Sequence, residues 1–128
     1  MSVGFSHLRA MTIVTLKRRQ DFLKAARARR CRRTAFTLLA NKRTAEKDAD
    51  CMRLGLTCSK RIGGAVLRNR AKRRLREAAR IALPQYGHLG WDYVLIGIPH
   101  HSVNQEFSSL LSDLCAALRR IHGPTQPV

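Results

Sequence analysis

Residues 61–80, RIGGAVLRNRAKRRLREAAR, set seven arginines and one lysine against a single acid, Glu77. At about 100° per residue, Leu67, Ala71, Leu75, Ala78 and Ala82 share one arc of a helix, while Arg68, Asn69, Lys72, Arg73, Arg76 and Arg80 occupy much of the remainder. Few folds satisfy such a segment. Its alanine-rich stripe demands a partner surface close to the helix backbone, and its guanidinium groups demand an open outer side. Like charges one turn apart cost roughly 0.2–0.5 kcal/mol per pair, so the outer face asks for a polyanion to offset them. Solvated charged faces usually interleave both signs, and this one does not.

The surface that such a helix can lie on is visible on either side of it. In CMRLGLTCSK, Met52, Leu54, Leu56 and Cys58 alternate with Arg53, Gly55, Thr57 and Ser59, the period of a strand with one apolar face. DYVLIGIP, residues 92–99, is a nearly continuous apolar run, as expected of a strand covered on both faces. RTAFTLLA, residues 33–40, reads as a further strand, and the polar stretch 41–50 as a loop. Upstream, TLKRRQDFLKAARARR has a capping-type start at Thr15 and spaces Leu16, Phe22, Leu23 and Ala26 as a basic first helix. The helix at 61–80 is expected to break near Leu83, where Pro84 and Gly87 follow.

The last element is a helix through Phe107, Leu110, Leu111, Leu114, Leu118 and Ile121, with Ser102 and Gln105 as a capping box and His122, Gly123 and Pro124 as its end. The resulting order, α-β-β-(β)-α-β-α, is an α+β fold with a small sheet of about four strands flanked by helices. The expected organisation is a flexible N-terminal extension at 1–10, one domain at 11–122 and a tail at 123–128.

Charge narrows the partner. Residues 17–33 and 60–80 hold nine Lys or Arg each, and the whole chain of 128 residues carries a formal net charge of +17. A chain with ordinary hydrophobic content and that much self-repulsion fits a nucleic acid. Cys31, Cys51, Cys58 and Cys115 form no C-x-x-C pair and stand at no zinc-ligand spacing from the five histidines, so they read as reduced, mostly buried thiols and no metal site is expected. The eight acids are scattered, which argues against a metal-dependent hydrolytic site in the chain. His88 and His122 read as surface loop residues. No apolar run of membrane-spanning length occurs.

The segment RLGLTCSKRIGGAVLRNRAKRRLREAAR, residues 53–80, resembles the signature of the protein subunit of bacterial ribonuclease P: a strand ending in Ser-Lys, a glycine turn, then an Arg-Asn-Arg helix. LKRRQDFLKAAR upstream, and DYVLIGIP with the terminal helix downstream, follow the same order, so the resemblance covers about residues 15–121. It implies a four-stranded sheet with a left-handed β-α-β crossover and a noncatalytic subunit of a ribonucleoprotein endoribonuclease, a hydrolase. The partners it implies are ribonuclease P RNA, one RNA to one protein, and precursor tRNA, whose 5′ leader is removed.

No cofactor is expected on the protein, and magnesium is expected at the RNA active site. By this resemblance Arg68, Asn69, Arg70, Lys72, Arg73 and Arg76 face the catalytic RNA, while Arg18, Phe22, Phe36, Leu39, Ser59 and Lys60 line or border the leader cleft. Two positions depart from the family: Ala26 and Leu39 stand where aromatics are common, which shifts leader binding from stacking toward electrostatics. Phe36 reads equally well as a core residue. A cytoplasmic protein without membrane contact is implied. The alternative is a ribosomal or other structural RNA-binding protein; a DNA-binding regulator and an autonomous ribonuclease are further rivals.

Overall fold

The computed structural model describes residues 13–43 and 50–123. Residues 1–10 and 124–128, read as extension and tail, and most of the 41–50 loop lie outside the described residues. The elements run β1 (Ile13–Thr15), α1 (Arg19–Ala26), β2 (Arg29–Arg32), β3 (Phe36–Lys42), β4 (Met52–Thr57), a 3-10 turn (Lys60–Ile62), α2 (Ala65–Tyr86), β5 (Trp91–Gly97), α3 (His101–Asn104) and α4 (Phe107–His122). One sheet of five strands is ordered β1-β4-β5-β3-β2. β1 and β5 run parallel to β4, and β2–β3 and β3–β5 are antiparallel. β4, α2 and β5 therefore form a crossover between parallel neighbours.

Both faces of β5 are covered over residues 92–95, as its apolar run required, and Ile96 beyond them is half-buried. Tyr93 and Leu95 join Phe36, Leu38, Leu54 and the inner residues of α2 and α4 in the main core. Val94 points the other way, into a smaller cluster with Leu16, Ala25 and Leu39 beneath α1. Strand alternation divides β3 and β5 between these two clusters. Asp92 faces the α1 side at 1% exposure, where Arg53 holds it with Nε and a terminal nitrogen at 2.7 Å each and Arg43 adds a bond of 2.6 Å. Hydrogen bonding to Asp92 raises the Arg53 pKa. Arg53 also lies 3.5 Å from Asp21 of α1, so one chain of charges ties that helix to the sheet.

Several local expectations are corrected. The sheet has five strands rather than about four. Thr15 ends β1 instead of capping a helix, the Leu16 amide bonds to the Leu54 carbonyl, and α1 begins at Arg19. The arginines of 29–32 form an edge strand in which only Cys31 needs burial. α2 continues past Pro84 to Tyr86; this proline deprives only the carbonyl of exposed Arg80 of its donor. Ser102 is no cap for α4. It is buried in α3, and Glu106, the residue before α4, makes no side-chain cap.

His88 and His122 are not independent surface residues. Their rings stack at 3.8 Å, His122 Nε2 lies 2.7 Å from the Tyr93 hydroxyl, and Trp91 meets His122 edge-on at 4.5 Å. Burial, helped by the charges of His88 and Arg29, brings the His122 pKa down to about 4. Cys31, Cys51 and Cys58 are buried thiols and Cys115 is half-buried.

Candidate nucleic-acid interface

α2 buries Ala71, Leu75, Ala78, Ala79, Ala82 and Leu83, four of them alanines that let its backbone approach the sheet. Leu67 was expected in this stripe but is 41% exposed and packs back on Gly63, where a Cβ would stand 2.6 Å from Leu67 Cδ1. Gly63 has φ 143°, a conformation that itself calls for glycine at the entry to the helix.

On the outside, Asn69, Arg70, Arg73 and Arg76 are exposed, with Arg68 and Lys72 half-buried. None of their side chains forms an ion pair among the described residues. Arg74 behaves differently from its neighbours: its Nε donates to the Ser102 carbonyl at 3.2 Å, and its guanidinium reaches the Gln105 carbonyl as well. Desolvation, then repulsion from Arg70, lowers its pKa. Two adjacent arginines thus divide the work, Arg73 facing solvent and Arg74 strapping α2 to the α3–α4 connection.

Because β1 pairs only with Met52–Leu54, the rest of the β4 edge is uncovered. A groove of about 270 Å³ lies there, floored by Ile13, Leu16, Leu54 and Leu56 and walled by Phe22 on one side and Lys72, Arg76 and Arg80 on the other. An apolar floor, one aromatic ring and three cations suit a nucleotide unit, with phosphate toward α2 and a base toward Phe22. Phe22 is seated on Gly55: a Cβ there would come within 2.6 Å of its ring. The Asp21–Arg53 contact, one residue away, holds the helix that carries it.

The expected site residues therefore sort into four groups, of which Arg68, Asn69, Arg70 and Arg73 stay on the outer side of α2 away from the groove lining. Lys72 and Arg76 of the α2 set and Phe22 of the cleft set meet in one groove, although the sequence reading kept the two sets apart. Arg18, Ser59 and Lys60 are exposed at the start of α1 and just past the end of β4, and Ser59 Oγ accepts from the Arg61 amide at 3.3 Å. Phe36 and Leu39 are corrected. Phe36 is 0% exposed and faces the main core, and Leu39, on the α1 side, is covered by that helix at 3%. Neither side chain can touch a ligand.

Sequence reasoning left Arg80 and Gly55 out of the site. Arg80 was legible, standing one turn beyond Arg76 on the same stripe. Gly55 was not, because its role depends on a ring 33 positions earlier in the chain.

The family model described as Ribonuclease P matches residues 12–122. A ribonuclease P protein component from Ruegeria pomeroyi is 55% identical over 88% of this chain and 89% of its own length. One from Paramagnetospirillum magneticum is 43% identical over 83% of this chain and 80% of its own. The solved ribonuclease P protein from Thermotoga maritima superposes with a TM-score of 0.67 at 29% identity, covering 85% of this chain and 98% of that one.

Proposed function

Since the chain belongs to the Ribonuclease P protein family, we propose that it is the noncatalytic subunit of a ribonucleoprotein hydrolase that removes the 5′ leader of precursor tRNA. One observation carries the division of labour: the unpaired cationic side of α2 continues into a groove whose opposite wall is Phe22. Asn69, Arg70 and Arg73, with Arg68 beside them, contact the ribonuclease P RNA through phosphates. Lys72, Arg76 and Arg80 stand where that surface meets the groove. Phe22, bordered by Arg18, Ser59 and Lys60, receives the single-stranded leader, whose variable sequence is best held by stacking and phosphate charge.

The chain's own carboxylates fit a noncatalytic role, since the buried ones are taken up by arginines. Asp21 and Asp92 pair with Arg53, Asp92 also with Arg43, and half-buried Asp113 with Arg33. Hydrolysis is assigned to the RNA, with magnesium held there, in a holoenzyme of one RNA and one protein. Among the described residues, no helix is long and apolar enough to cross a membrane, and we place the activity in the cytoplasm.

Reconstitution tests this reading. Adding the protein to a bacterial ribonuclease P RNA should restore leader removal at physiological magnesium, while the protein freed of RNA should cleave nothing. Cleavage by the RNA-free protein, or no stimulation of the RNA, would contradict it.

A further inference from the structure

α1 has eight residues, about 12 Å of helix, and it does not cover the whole sheet face beneath it. Phe22 rests on Gly55, and Ala25 packs with Val94 and Leu39, so the covered row is Gly55–Val94–Leu39. The next row on the same face is Thr57–Ile96–Thr37–Arg32, residues paired directly across β4, β5, β3 and β2. Thr57 and Arg32 are exposed, and Ile96 and Thr37 half-buried. Three inter-strand spacings make this open row about 14 Å long.

Its two ends are basic. Beyond Thr57 come Lys60 and Arg61 of the 3-10 turn, both exposed. At the other end Arg32 opens onto a second concavity, of about 530 Å³, lined by Arg32, Arg33, Thr34, Ile98 and His101. Arg30 lies on the same face, one row back and also exposed. Arg33 is engaged with Asp113 at 2.7 Å, but the side chains of Arg30 and Arg32 have no partner among the described residues. Two unpaired arginines on an edge strand, beside a floor of threonine hydroxyls and one isoleucine, are suited to a flexible phosphate backbone with 2′-hydroxyls rather than to a packed protein face.

We infer that Arg30 and Arg32 of the β2 edge form a second phosphate contact for single-stranded RNA, holding leader nucleotides that have passed Phe22 and crossed the open row. The inference rests on the groove reading above and extends it by three strands. It also gives the 17–33 cation cluster a use: a charge-based grip on the side of the sheet where Leu39 is covered and no aromatic is offered.

The test measures binding of reconstituted holoenzyme to mature tRNA and to precursors with short and long leaders, using Arg30→Ala/Arg32→Ala and, separately, Phe22→Ala. Both arginines are exposed, so the fold should survive, and thermal melting checks that. The double variant should bind the long-leader precursor roughly five- to tenfold more weakly, with a salt slope shallower by about 1.4, two single-strand phosphates' worth. Short-leader precursor and mature tRNA should be unaffected.

Equal weakening of all three ligands would overturn the inference, because the arginines would then serve the catalytic RNA or general attraction. Unchanged long-leader binding would also overturn it, whatever Phe22→Ala does. If Phe22→Ala alone is silent while the double variant shows the length-dependent loss, the second contact stands and the Phe22 assignment falls.

Discussion

The two faces of the sheet are closed to different extents. On one, α2 and α4 bury Leu38, Tyr93, Leu95, Leu110 and Leu114 to 1% exposure or less. On the other, short α1 buries Leu16, Ala25, Leu39 and Val94, and leaves Phe22 half-buried over Gly55 and a row of four residues open. The contrast separates the face that holds most of the packing from the open groove and row where we propose the leader lies. The closed face carries most of the apolar burial, while the α1 face combines a small apolar cluster with the Asp21–Arg53–Asp92–Arg43 charge chain, which fixes the helix without covering the site.

That account of the α1 face breaks most directly at Asp92. Asp92→Asn leaves Arg43 and Arg53 partly buried without their carboxylate and should cost about 3–5 kcal/mol in urea unfolding. A loss below about 1 kcal/mol would mean that the charge chain is not what holds this side together.

On the closed face, Leu114→Ala should cost about 3 kcal/mol with leader preference retained in the folded protein. A leader-specific defect in that variant would erase the distinction between faces. Closure of the α4 end over His122 sharpens the comparison through pH. The folded pKa of about 4 lies below the ordinary 6.5, so the fold favours the neutral ring. Its contribution is complete above about pH 6.5 and is lost as pH falls toward 4, at a cost on the order of 2 kcal/mol. His122→Phe should flatten the stability curve over that window relative to the native chain, and an unchanged curve would refute the role.

The smallest expected effect separates two neighbours on α2. Arg74→Ala should lose about 1–2 kcal/mol of stability, because the Ser102 and Gln105 carbonyls lose their donor. Arg73→Ala should change stability by less than about 0.5 kcal/mol and instead lower the salt slope of RNA binding by about 0.9.

Elements that must bury a whole face were legible in the sequence. β4 announced itself by alternation, β5 by its unbroken apolar run and α4 by its leucine spacing, because a covered face requires apolar residues at every turn or pleat. The edge strands were hidden for the converse reason: β2 needs only Cys31 inside, and β1 spans three residues. The cationic side of α2 was readable from period and sign.

The groove was not, since it depends on β1 stopping at Thr15 so that Phe22 and Arg76 can approach the same stretch of β4. Phe36 and Leu39 were misplaced because alternation pairs residues by face without saying which face a helix will cover. The stacking of His88 on His122 joins two chain ends of different helices and leaves no local trace.

The central claim is that α2 holds the catalytic RNA while the α1 side holds the leader. Its most direct test follows two quantities in one experiment, protein affinity for the ribonuclease P RNA across salt and holoenzyme preference for precursor over mature tRNA. Phe22→Ala should lower the preference several-fold and leave RNA affinity intact. Combined Arg70→Ala, Arg73→Ala and Asn69→Ala should weaken RNA affinity, with a slope reduced by about 2, and leave the preference intact. If both variants lowered both quantities in parallel, the two surfaces would be one undivided patch and the account would fail.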